Sequence, residues 1–555
     1  MHTCESNREC SHRATLLVAA FLSLASSIAL AQGDTRERQT EALLAASSPR
    51  GGVVAVIRDG KPLYRHAFGV ADMESGAAVT LDTPFYVASV AKPFTAACVS
   101  LLAQRGNIDL DQPVTRYLPQ FPRSEKPITV RHLLTHRSGV RDIFDLVTLS
   151  DLDPASALAS NAAAVTLLAK QQTLNFDPGA SACYSNSGYV WLAELVRAVS
   201  GRPLDQFARA DLFEPLAMPA ARFGARPAGG ARGHGADGKP IELRSGMVGP
   251  GGLWMSLDDF IAWERAFLEA KWSGPQFWKS LVAAPALAAG ETLHPRIGEY
   301  ACGWMLGSYR GTPTVRHPGG SFGYKADYVR FPTLRTAIVV LTNDDAAQAS
   351  RLAMQVADIW LEAELGPPEP AASAASSAEA KSLASVYIDD ATADVWMLDT
   401  RAAPRLLGVG VQSALIELGP RRWATTDLPA KLQIHVDGDG DAARLIISGE
   451  RVASGRCRKL KPIKPTAEAL GEFARIYASV ELGGVVRFAA QTDRLTLVQR
   501  AGALLSTGPL GPFEGDRFIS NRGLYVQFKR DPGGKITTAI VQTPGVLRLE
   551  LRRSD

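Results

Sequence analysis

Residues 85–92 of the 555-residue chain read FYVASVAK. If Ser89 opens a helix, Lys92 lies one turn further along the same face, and its amine comes near the serine hydroxyl. The next turns carry a stripe of residues suited to burial: Phe94, Ala97, Cys98 and Leu101. Burial favours the neutral amine, which can act as a base on Ser89. Taken alone, however, Ser-x-x-Lys more often marks an N-cap serine followed by a solvated lysine.

A second element downstream supplies groups that such a serine requires. Tyr184 and Asn186 flank Ser185, so in an extended segment both side chains face the same side. A phenol near the lysine can relay a proton, and an asparagine amide can hold both the lysine and a substrate carbonyl.

A third element follows a short β run and reads His317-Pro318-Gly319-Gly320. Its small residues let a substrate lie against the strand edge. The N–H group of Gly320, together with that of Ser89, can form an oxyanion hole.

These elements resemble the serine β-lactamase and penicillin-binding-protein superfamily, in the branch of class C β-lactamases, D-aminopeptidases and related carboxylesterases. The resemblance covers about residues 52–365. Six motifs occur in the expected order: FYVASVAK at 85–92, LLTHRSGV at 133–140, YSNSGY at 184–189, PGGLWMS at 250–256, GW at 303–304 and HPGGSFGY at 317–324.

The resemblance implies a role for each candidate residue. Ser89 would be the nucleophile that forms an acyl-enzyme. Lys92 and Tyr184 would share the general acid and base roles, and which of them takes the first proton stays open. The residues implied to bind substrate or the oxyanion are Asn186, His317, Gly319 and Gly320.

Local patterns predict an α+β fold for residues 32–365, the hydrolase domain. Two strands, at 53–57 and 62–68, join at Asp59-Gly60, a strong hairpin signal. Long helices are predicted after Ser89 and Ser187 and across residues 257–269, and a strand pair around 314–316 and 328–343. Helices mixed with hairpins indicate an antiparallel sheet flanked by helices, as the resemblance to β-lactamases and DD-peptidases also implies.

The C-terminal part of the chain has a different pattern. Residues 366–380 are rich in Pro, Ala and Ser and predict a linker. Apolar residues then alternate with period two, as in Leu432, Ile434 and Val436, which predicts two small barrel-like β modules at 381–462 and 463–555. The DGDGD stretch at 437–441 lacks the Gly and Glu of a calcium loop, so we expect a hairpin and neither metal nor cofactor.

The N-terminus has the features of a secretory signal. Residues 14–31 are apolar, are preceded by basic residues and end in Ala29-Leu30-Ala31, so residues 1–31 are predicted to be cleaved after Ala31. The alternative, an uncleaved anchor, is disfavoured by Ser23, Ser26 and the cleavage site. This interpretation places the mature protein in the periplasm or outside the cell, with no stable membrane span.

Composition and charge limit the class of partner. A net charge of +4 over the whole chain does not indicate nucleic acid or a membrane surface. We therefore expect a small molecule or peptide as the substrate. The oligomeric state does not follow from the sequence.

Several other residues could be misread as catalytic. Residues 319–323, GGSFG, match the nucleophile elbow of α/β-hydrolases, but β-type sequence follows Ser321 where that elbow needs a helix. His136 and Cys183 are interpreted as packing residues. Trp254 and Trp304 could wall the pocket or belong to the core.

The third element also bears on the substrate. Enzymes of this superfamily that hold a carboxylate usually offer a lysine where this chain has His317. Loss of that cation favours substrates without a C-terminal carboxylate at this place, such as N-terminal D-residues or acyl esters. D-Ala-D-Ala carboxypeptidase or β-lactamase activity is the alternative, and a penicillin-binding sensor that does not turn over is an alternative of another class.

Overall fold

The structure is a computed structural model. It describes residues 35–554, apart from 48–49, 287–296, 369, 371–372, 374–376, 391, 409–410, 427, 429, 450–451 and 500–506. The predicted signal at residues 1–31 lies outside the described residues, as does part of the predicted linker.

The first part of the chain forms an α+β unit. Its strands are β1 (Gly51–Arg58), β2 (Lys61–Asp72), β3 (Ala77–Ala78), β4 (Phe85–Tyr86), β5 (Arg222–Phe223), β6 (Leu253–Met255), β7 (Glu299–Tyr300), β8 (Met305–Tyr309), β9 (Thr312–Ser321), β10 (Tyr324–Phe331) and β11 (Thr336–Thr342). Its helices are α1 (residues 35–47), α2 (Ala91–Gln104), α3 (Val130–Leu134), α4 (Ile143–Leu149), α5 (Pro154–Ala157), α6 (Asn161–Leu168), α7 (Asn186–Ser200), α8 (Leu204–Ala208), α9 (Leu257–Glu269), α10 (Gly274–Leu281) and α11 (Ala349–Trp360).

An antiparallel eight-stranded sheet organises this unit, in the order β3-β2-β1-β11-β10-β9-β8-β7. The predicted hairpin joins β1 to β2, and Asp59 and Gly60 both have positive φ, as a two-residue turn of type I′ requires. β1 pairs with β11 from Gly52 opposite Thr342 to Arg58 opposite Thr336. The predicted α+β class is therefore confirmed.

Both faces of the central strands are buried. Val53, Ala55 and Ile57 face the core that contains α2, α7 and α9. Val54 and Val56 face the opposite way, toward α11. This two-sided burial explains the continuous apolar run of β1, which does not alternate with polar residues.

The C-terminal part forms two closed eight-stranded barrels. The first contains α12 (Ala378–Ser382), β12 (Ser385–Ile388), β13 (Val395–Asp399), β14 (Arg405–Gly408), β15 (Val411–Gly419), β16 (Arg422–Thr425), β17 (Leu432–Asp437), β18 (Arg444–Gly449) and β19 (Val452–Lys459). The second contains α13 (Ala467–Phe473), β20 (Ile476–Ser479), β21 (Gly484–Gln491), β22 (Arg494–Leu497), β23 (Pro509–Phe513), β24 (Arg517–Ser520), β25 (Tyr525–Arg530), β26 (Ile536–Thr543) and β27 (Val546–Arg553).

The two barrels differ in how they join the rest of the molecule. The apolar interior of the first barrel, including Leu432, Ile434 and Val436, is a separate cluster. The interior of the second barrel belongs to the same continuous core as the hydrolase unit. A buried ion pair also crosses that boundary, since Arg141 Nη1 donates to Glu481 Oε2 at 2.6 Å.

The helices and cysteines of the described residues bear on membrane insertion and on disulfide formation. None of the helices in the described part of the chain is long and apolar enough to cross a membrane. Cys98, Cys183, Cys302 and Cys457 are all buried thiols.

Candidate functional site

Ser89 lies in a tight turn between β4 and α2. The turn is a 3-10 helix, Ala88–Val90, and the α-helix begins two residues after Ser89, slightly later than the sequence pattern predicts. Ala88 has φ of 48°, a conformation that costs a residue with a Cβ atom energy, and it is buried. Ser89 itself remains partly exposed, so its hydroxyl can be reached from the surface.

Lys92 lies on the first turn of α2 and is fully buried. Its Nζ atom lies 3.2 Å from Ser89 Oγ, 2.9 Å from Asn186 Oδ1 and 2.9 Å from the Pro250 carbonyl oxygen. Helix α2 is buried on nearly every side. The sequence pattern predicted burial of one apolar stripe only.

The partners of Lys92 determine where protons can reside. Asn186 Oδ1 and the Pro250 carbonyl only accept hydrogen bonds, so Nζ must donate to both. The third position of the nitrogen faces Ser89 Oγ, where the proton can belong to either atom. An amine in this arrangement can accept the serine proton without moving.

The amide of Asn186 is held in one orientation by Asp142. Asp142 Oδ2 accepts hydrogen bonds from the Asn186 backbone N–H at 2.6 Å and from Asn186 Nδ2 at 2.8 Å. Oδ1 of the same carboxylate caps α4 by accepting from the N–H group of Phe144. Because Nδ2 is occupied, the amide oxygen of Asn186 must face Lys92.

Tyr184 lies beside Lys92, whose Nζ is 4.7 Å from the centre of its ring. His136 bonds the residues on both sides of this tyrosine. The His136 carbonyl accepts from the Cys183 N–H at 2.9 Å, and His136 Nδ1 accepts from the Ser185 N–H at 3.2 Å. The imidazole also packs on the Tyr184 ring, with centroids 4.5 Å apart. His136 thereby fixes the segment that carries Tyr184.

His317 lies in β9 with a buried ring. Its Nδ1 lies 2.7 Å from the Pro318 carbonyl, which can only accept, so the proton is on Nδ1. Nε2 is 2.9 Å from the Tyr300 hydroxyl and accepts its hydrogen. Burial, and then the charge of Lys92, lowers the pKa of His317 to about 3. The imidazole is therefore neutral near pH 7.

The two glycines of the third element lie against different surroundings. A Cβ atom on Gly319 would lie 2.3 Å from the Val87 carbonyl oxygen and 3.2 Å from Ser89 N. Only glycine thus allows β9 to approach the turn that holds Ser89. A Cβ atom on Gly320 would lie 3.3 Å from Lys325 Cδ, 3.6 Å from Lys325 Nζ and 3.9 Å from the Tyr324 carbonyl oxygen, which are ordinary contacts apart from the flexible lysine chain.

The structure separates the other singled-out residues from this cluster. Ser321 ends β9, and an antiparallel hairpin to β10 follows, so it is not at a strand-to-helix elbow. Trp304 packs on Tyr328 in the core, while Trp254 lines a separate cavity. Cys183 is buried, and its Sγ lies 3.4 Å from the Pro544 carbonyl.

The turn between β26 and β27 of the second barrel reaches the same region. The Gly545 carbonyl accepts from the Asp142 N–H at 2.9 Å and from Asn175 Nδ2 at 3.1 Å. The Asp145 carboxylate accepts from the Gly545 N–H and, at 2.9 Å, from Thr543 Oγ1. The residue that orients Asn186 is thus itself in contact with the C-terminal barrel.

The sequence patterns predicted no catalytic or binding role for Asp142, Pro250, Tyr300 or Gly545. An aspartate before an apolar helix does indicate an N-cap, so the local role of Asp142 was available from the pattern. Its contact with Asn186 was not, because that contact depends on packing between distant segments. Among the described residues, His, Cys, Asp and Glu side chains form no group of three that could hold a metal ion.

Comparison with known proteins gives three findings. A family model described as Beta-lactamase matches residues 37–360. The chain is 28% identical over 530 residues to a D-aminopeptidase of Brucella anthropi, covering 91% of each. It is 27% identical over 457 residues to a D-aminopeptidase of Gluconobacter oxydans (strain 621H), covering 80% of this chain and 82% of that one.

A solved structure supports the fold alone. The octameric penicillin-binding protein homologue from Pyrococcus abyssi aligns with a TM-score of 0.53 and 19% identity. The alignment covers 77% of this chain and 99% of the other.

Proposed function

The chain belongs to the β-lactamase family of serine hydrolases, and from that premise we propose that it is an exported enzyme whose acyl-enzyme forms on Ser89. Its substrates are amides or esters, either peptides with an N-terminal D-residue or simple acyl esters. The observation that carries this proposal is the position of Lys92 Nζ, held by two obligate acceptors and facing Ser89 Oγ.

The chemistry follows from these contacts. Ser89 Oγ attacks the substrate carbonyl carbon, and its proton passes to the pair formed by Lys92 and Tyr184. The same pair returns a proton to the departing amine or alcohol as the carbon–nitrogen or carbon–oxygen bond breaks. Water then attacks the ester on Ser89, which regenerates the serine. The N–H groups of Ser89 and Gly320 are the proposed donors to the oxyanion.

His317 supports the choice of substrate. A neutral imidazole that is already bonded to Pro318 and Tyr300 offers no fixed positive charge to a carboxylate next to the scissile bond. Amides or longer peptides in which the residue after the N-terminal D-residue lacks a free carboxyl group have no such carboxylate, and neither do acyl esters. The two D-aminopeptidase relatives favour the first class.

A substrate panel tests this function. D- and L-alanine p-nitroanilides, p-nitrophenyl acetate and a chromogenic cephalosporin are assayed with the wild-type protein and with Ser89→Ala. We expect turnover of the D-anilide or the ester and its loss in Ser89→Ala, while Ser321→Ala remains active. Full activity of Ser89→Ala with loss in Ser321→Ala would overturn the assignment.

The panel also separates an enzyme from a sensor. A protein that is labelled at Ser89 by a fluorophosphonate or a penicillin but turns over no substrate would be a penicillin-binding sensor. The presence of Ser89, Lys92 and Tyr184 together favours the enzyme, because the set supplies a nucleophile and groups that can exchange protons with it.

Export is proposed from residues 1–31 and has its own test. We expect the mature protein in the periplasmic or secreted fraction of cells, with Gln32 at its N-terminus. A cytoplasmic protein that retains the first residues would contradict this part of the proposal.

A further inference from the structure

A cavity of about 560 Å³ lies outside the cluster around Ser89. We name it the Arg226 cavity and define it by six of its lining residues: Arg226, Arg232, Glu242, Met247, Trp254 and Tyr324. Its volume is in the range of sites that hold small organic molecules. Nothing in the proposed acyl transfer uses it.

The inner wall of the cavity is aromatic and apolar. Met247, Trp254 and Tyr324 are all buried, and Trp254 and Tyr324 pack with ring centroids 5.7 Å apart. Trp254 Nε1 donates to the Gly224 carbonyl and the Tyr324 hydroxyl donates to the Ala231 carbonyl, so both rings are held in place. These three residues expose 2% or less of their surface, so the partly exposed Ile241 and Leu243, which also line the cavity, provide the accessible apolar surface for a ligand.

The charged groups that line the cavity are two arginines, Arg226 and Arg232, and one glutamate, Glu242. Arg232 is paired with Glu74 and lies 3.9 Å from Asp72. Arg226 is exposed and donates to the Gly230 carbonyl at 3.3 Å, and no carboxylate of the described residues lies within 4 Å of its guanidinium. Glu242 also lines the cavity and is exposed to solvent.

The field of both arginines reaches the aromatic wall. Burial raises the pKa of Tyr324 to about 12, and the guanidinium groups of Arg226 and Arg232 oppose that rise. A guanidinium that lacks a carboxylate partner beside an apolar wall is a suitable site for a planar anion, because it can donate two parallel hydrogen bonds.

The cavity also lies close to the turn that carries Ser89. The Tyr86 ring packs on both Trp254 and Tyr324, at 5.6 and 5.4 Å. A Cβ atom on Gly251 would lie 2.7 Å from the Tyr86 hydroxyl and 3.7 Å from the Ala88 carbonyl oxygen. The segment that includes Met247 therefore continues to the back of the nucleophile turn and supplies the Pro250 carbonyl to Lys92.

We propose that the Arg226 cavity binds an organic carboxylate with an apolar body, with Arg226 holding the carboxylate. The ligand is either the distal end of a substrate or a separate molecule. The first use rests on the proposed function, whereas carboxylate binding by itself does not.

Calorimetry on the full-length Ser89→Ala protein tests binding without catalysis. The probes are 4-phenylbutyrate and its uncharged amide. We expect the carboxylate to bind about tenfold or more tightly than the amide, and Arg226→Ala to remove that preference. Arg222→Ala, which changes an exposed arginine four positions away that does not line the cavity, should leave both affinities unchanged.

A second variant tests the electrostatic part of the proposal with a change in affinity of the opposite direction. Glu242→Gln removes a negative charge from the cavity and should strengthen binding of 4-phenylbutyrate. Equal affinity for acid and amide, or no effect of Arg226→Ala, would overturn the proposal.

Kinetics then identify the source of the carboxylate. D-Ala-Gly-L-Phe, whose carboxylate lies one residue beyond the scissile bond, and its C-terminal amide are compared as substrates of the wild-type protein. If the site holds the distal end of the substrate, Arg226→Ala lowers the preference for the acid over the amide about tenfold. An unchanged preference, together with calorimetric binding, assigns the site to a separate carboxylate. Absence of cleavage of either peptide would count against the proposed function and leave the calorimetric result intact.

Discussion

Asp142 uses its carboxylate for two tasks at once. One oxygen caps α4 by accepting from Phe144, and the other holds both the backbone and the amide of Asn186. A carboxylate can do this because it has only acceptor sites. The orientation of Asn186, and through it the surroundings of Lys92, depends on this single side chain.

Replacement of Asp142 by asparagine should therefore reduce kcat. An asparagine accepts on one side only, so its Nδ2 group would meet either the donors of Asn186 or the N–H group of Phe144. The first orientation turns the Asn186 amide away from Lys92, and the second removes the cap of α4 that holds residue 142 in place. We expect kcat to fall about 100-fold, as is typical when catalytic groups lose their alignment. Asp153→Asn, which alters the N-cap of α5 and whose bonds are to Ser156, is the matched control and should retain activity.

His317 gives the stability of the protein a predictable pH dependence. In an unfolded chain imidazole has a pKa of about 6.5, whereas burial lowers the pKa of His317 in the folded state to about 3. Between these values the unfolded chain binds a proton that the folded chain does not. The contribution of neutral His317 to the free energy of unfolding is therefore fully present above about pH 6.5. It is lost progressively as the pH falls from there toward about 3.

His317→Asn should flatten this dependence. We expect a smaller decrease in Tm from about pH 7 to about pH 4 in the variant, measured by thermal unfolding. Some slope should remain, because burial also lowers the pKa values of His132 and His234. His435→Asn, at an exposed position in the first barrel, should give the wild-type slope, and a wild-type slope in His317→Asn would contradict the prediction.

At the scale of elements, β9 shows what local sequence can and cannot reveal. The β-branched run of β11 and the Asp59-Gly60 turn are local signals, and the strands and hairpin that they predict are present. The third element was predicted to follow a short β run, yet it is part of β9, because pairing with β10 extends the strand through Pro318 and both glycines. Proline is tolerated there because the ladder between β9 and β8 ends at Arg316, so that Pro318 lies where β9 pairs with β10 alone.

The two glycines of β9 provide a matched pair of variants. Neighbouring residues in a strand point to opposite faces, and only Gly319 faces the turn that holds Ser89. Gly319→Ala should push that turn away and lower kcat about 100-fold. Gly320→Ala keeps the backbone N–H group and should leave kcat within about threefold, because its methyl group would meet the flexible Lys325 chain and, at 3.9 Å, the Tyr324 carbonyl oxygen. Equal effects in steady-state assays would show that the close approach of β9 is unimportant.

Helices α7 and α9 were predictable from local sequence, whereas the contacts that complete the site depend on distant segments. Their periodicity and capping residues are local, and both helices occur where the pattern predicts them. The resemblance to known serine hydrolases supplied the candidate residues Ser89, Lys92 and Asn186. It could not supply the Pro250 carbonyl, since any residue type provides a backbone oxygen and its position depends on the tertiary fold.

At the scale of the whole molecule, the second barrel is continuous with the hydrolase unit. They share one apolar core, a buried ion pair and the contacts of Gly545. The alternating pattern predicted the β modules but not which of them would lie against the active region, because two barrels with similar strands give similar sequence signals.

A single methyl group in the second barrel should therefore affect the hydrolase. A Cβ atom on Gly545 would lie 2.4 Å from Asp142 Cβ and 2.7 Å from Asp145 Oδ2. Gly545→Ala should displace Asp142 and lower kcat about 10- to 100-fold without unfolding either barrel, as checked by circular dichroism. Gly471→Ala, in α13 of the same barrel and with open space around it, should leave kcat unchanged.

The contact between Asp145 and Gly545 joins residues 400 positions apart, and this separation governs when activity can first arise. A ribosome that adds about 5–20 residues per second needs roughly 20 to 80 seconds between these two positions. During that interval the serine and lysine already exist in the nascent chain, but the turn that supports Asp142 does not. We expect the newly made chain to reach full activity only after the hairpin of β26 and β27 has been synthesised.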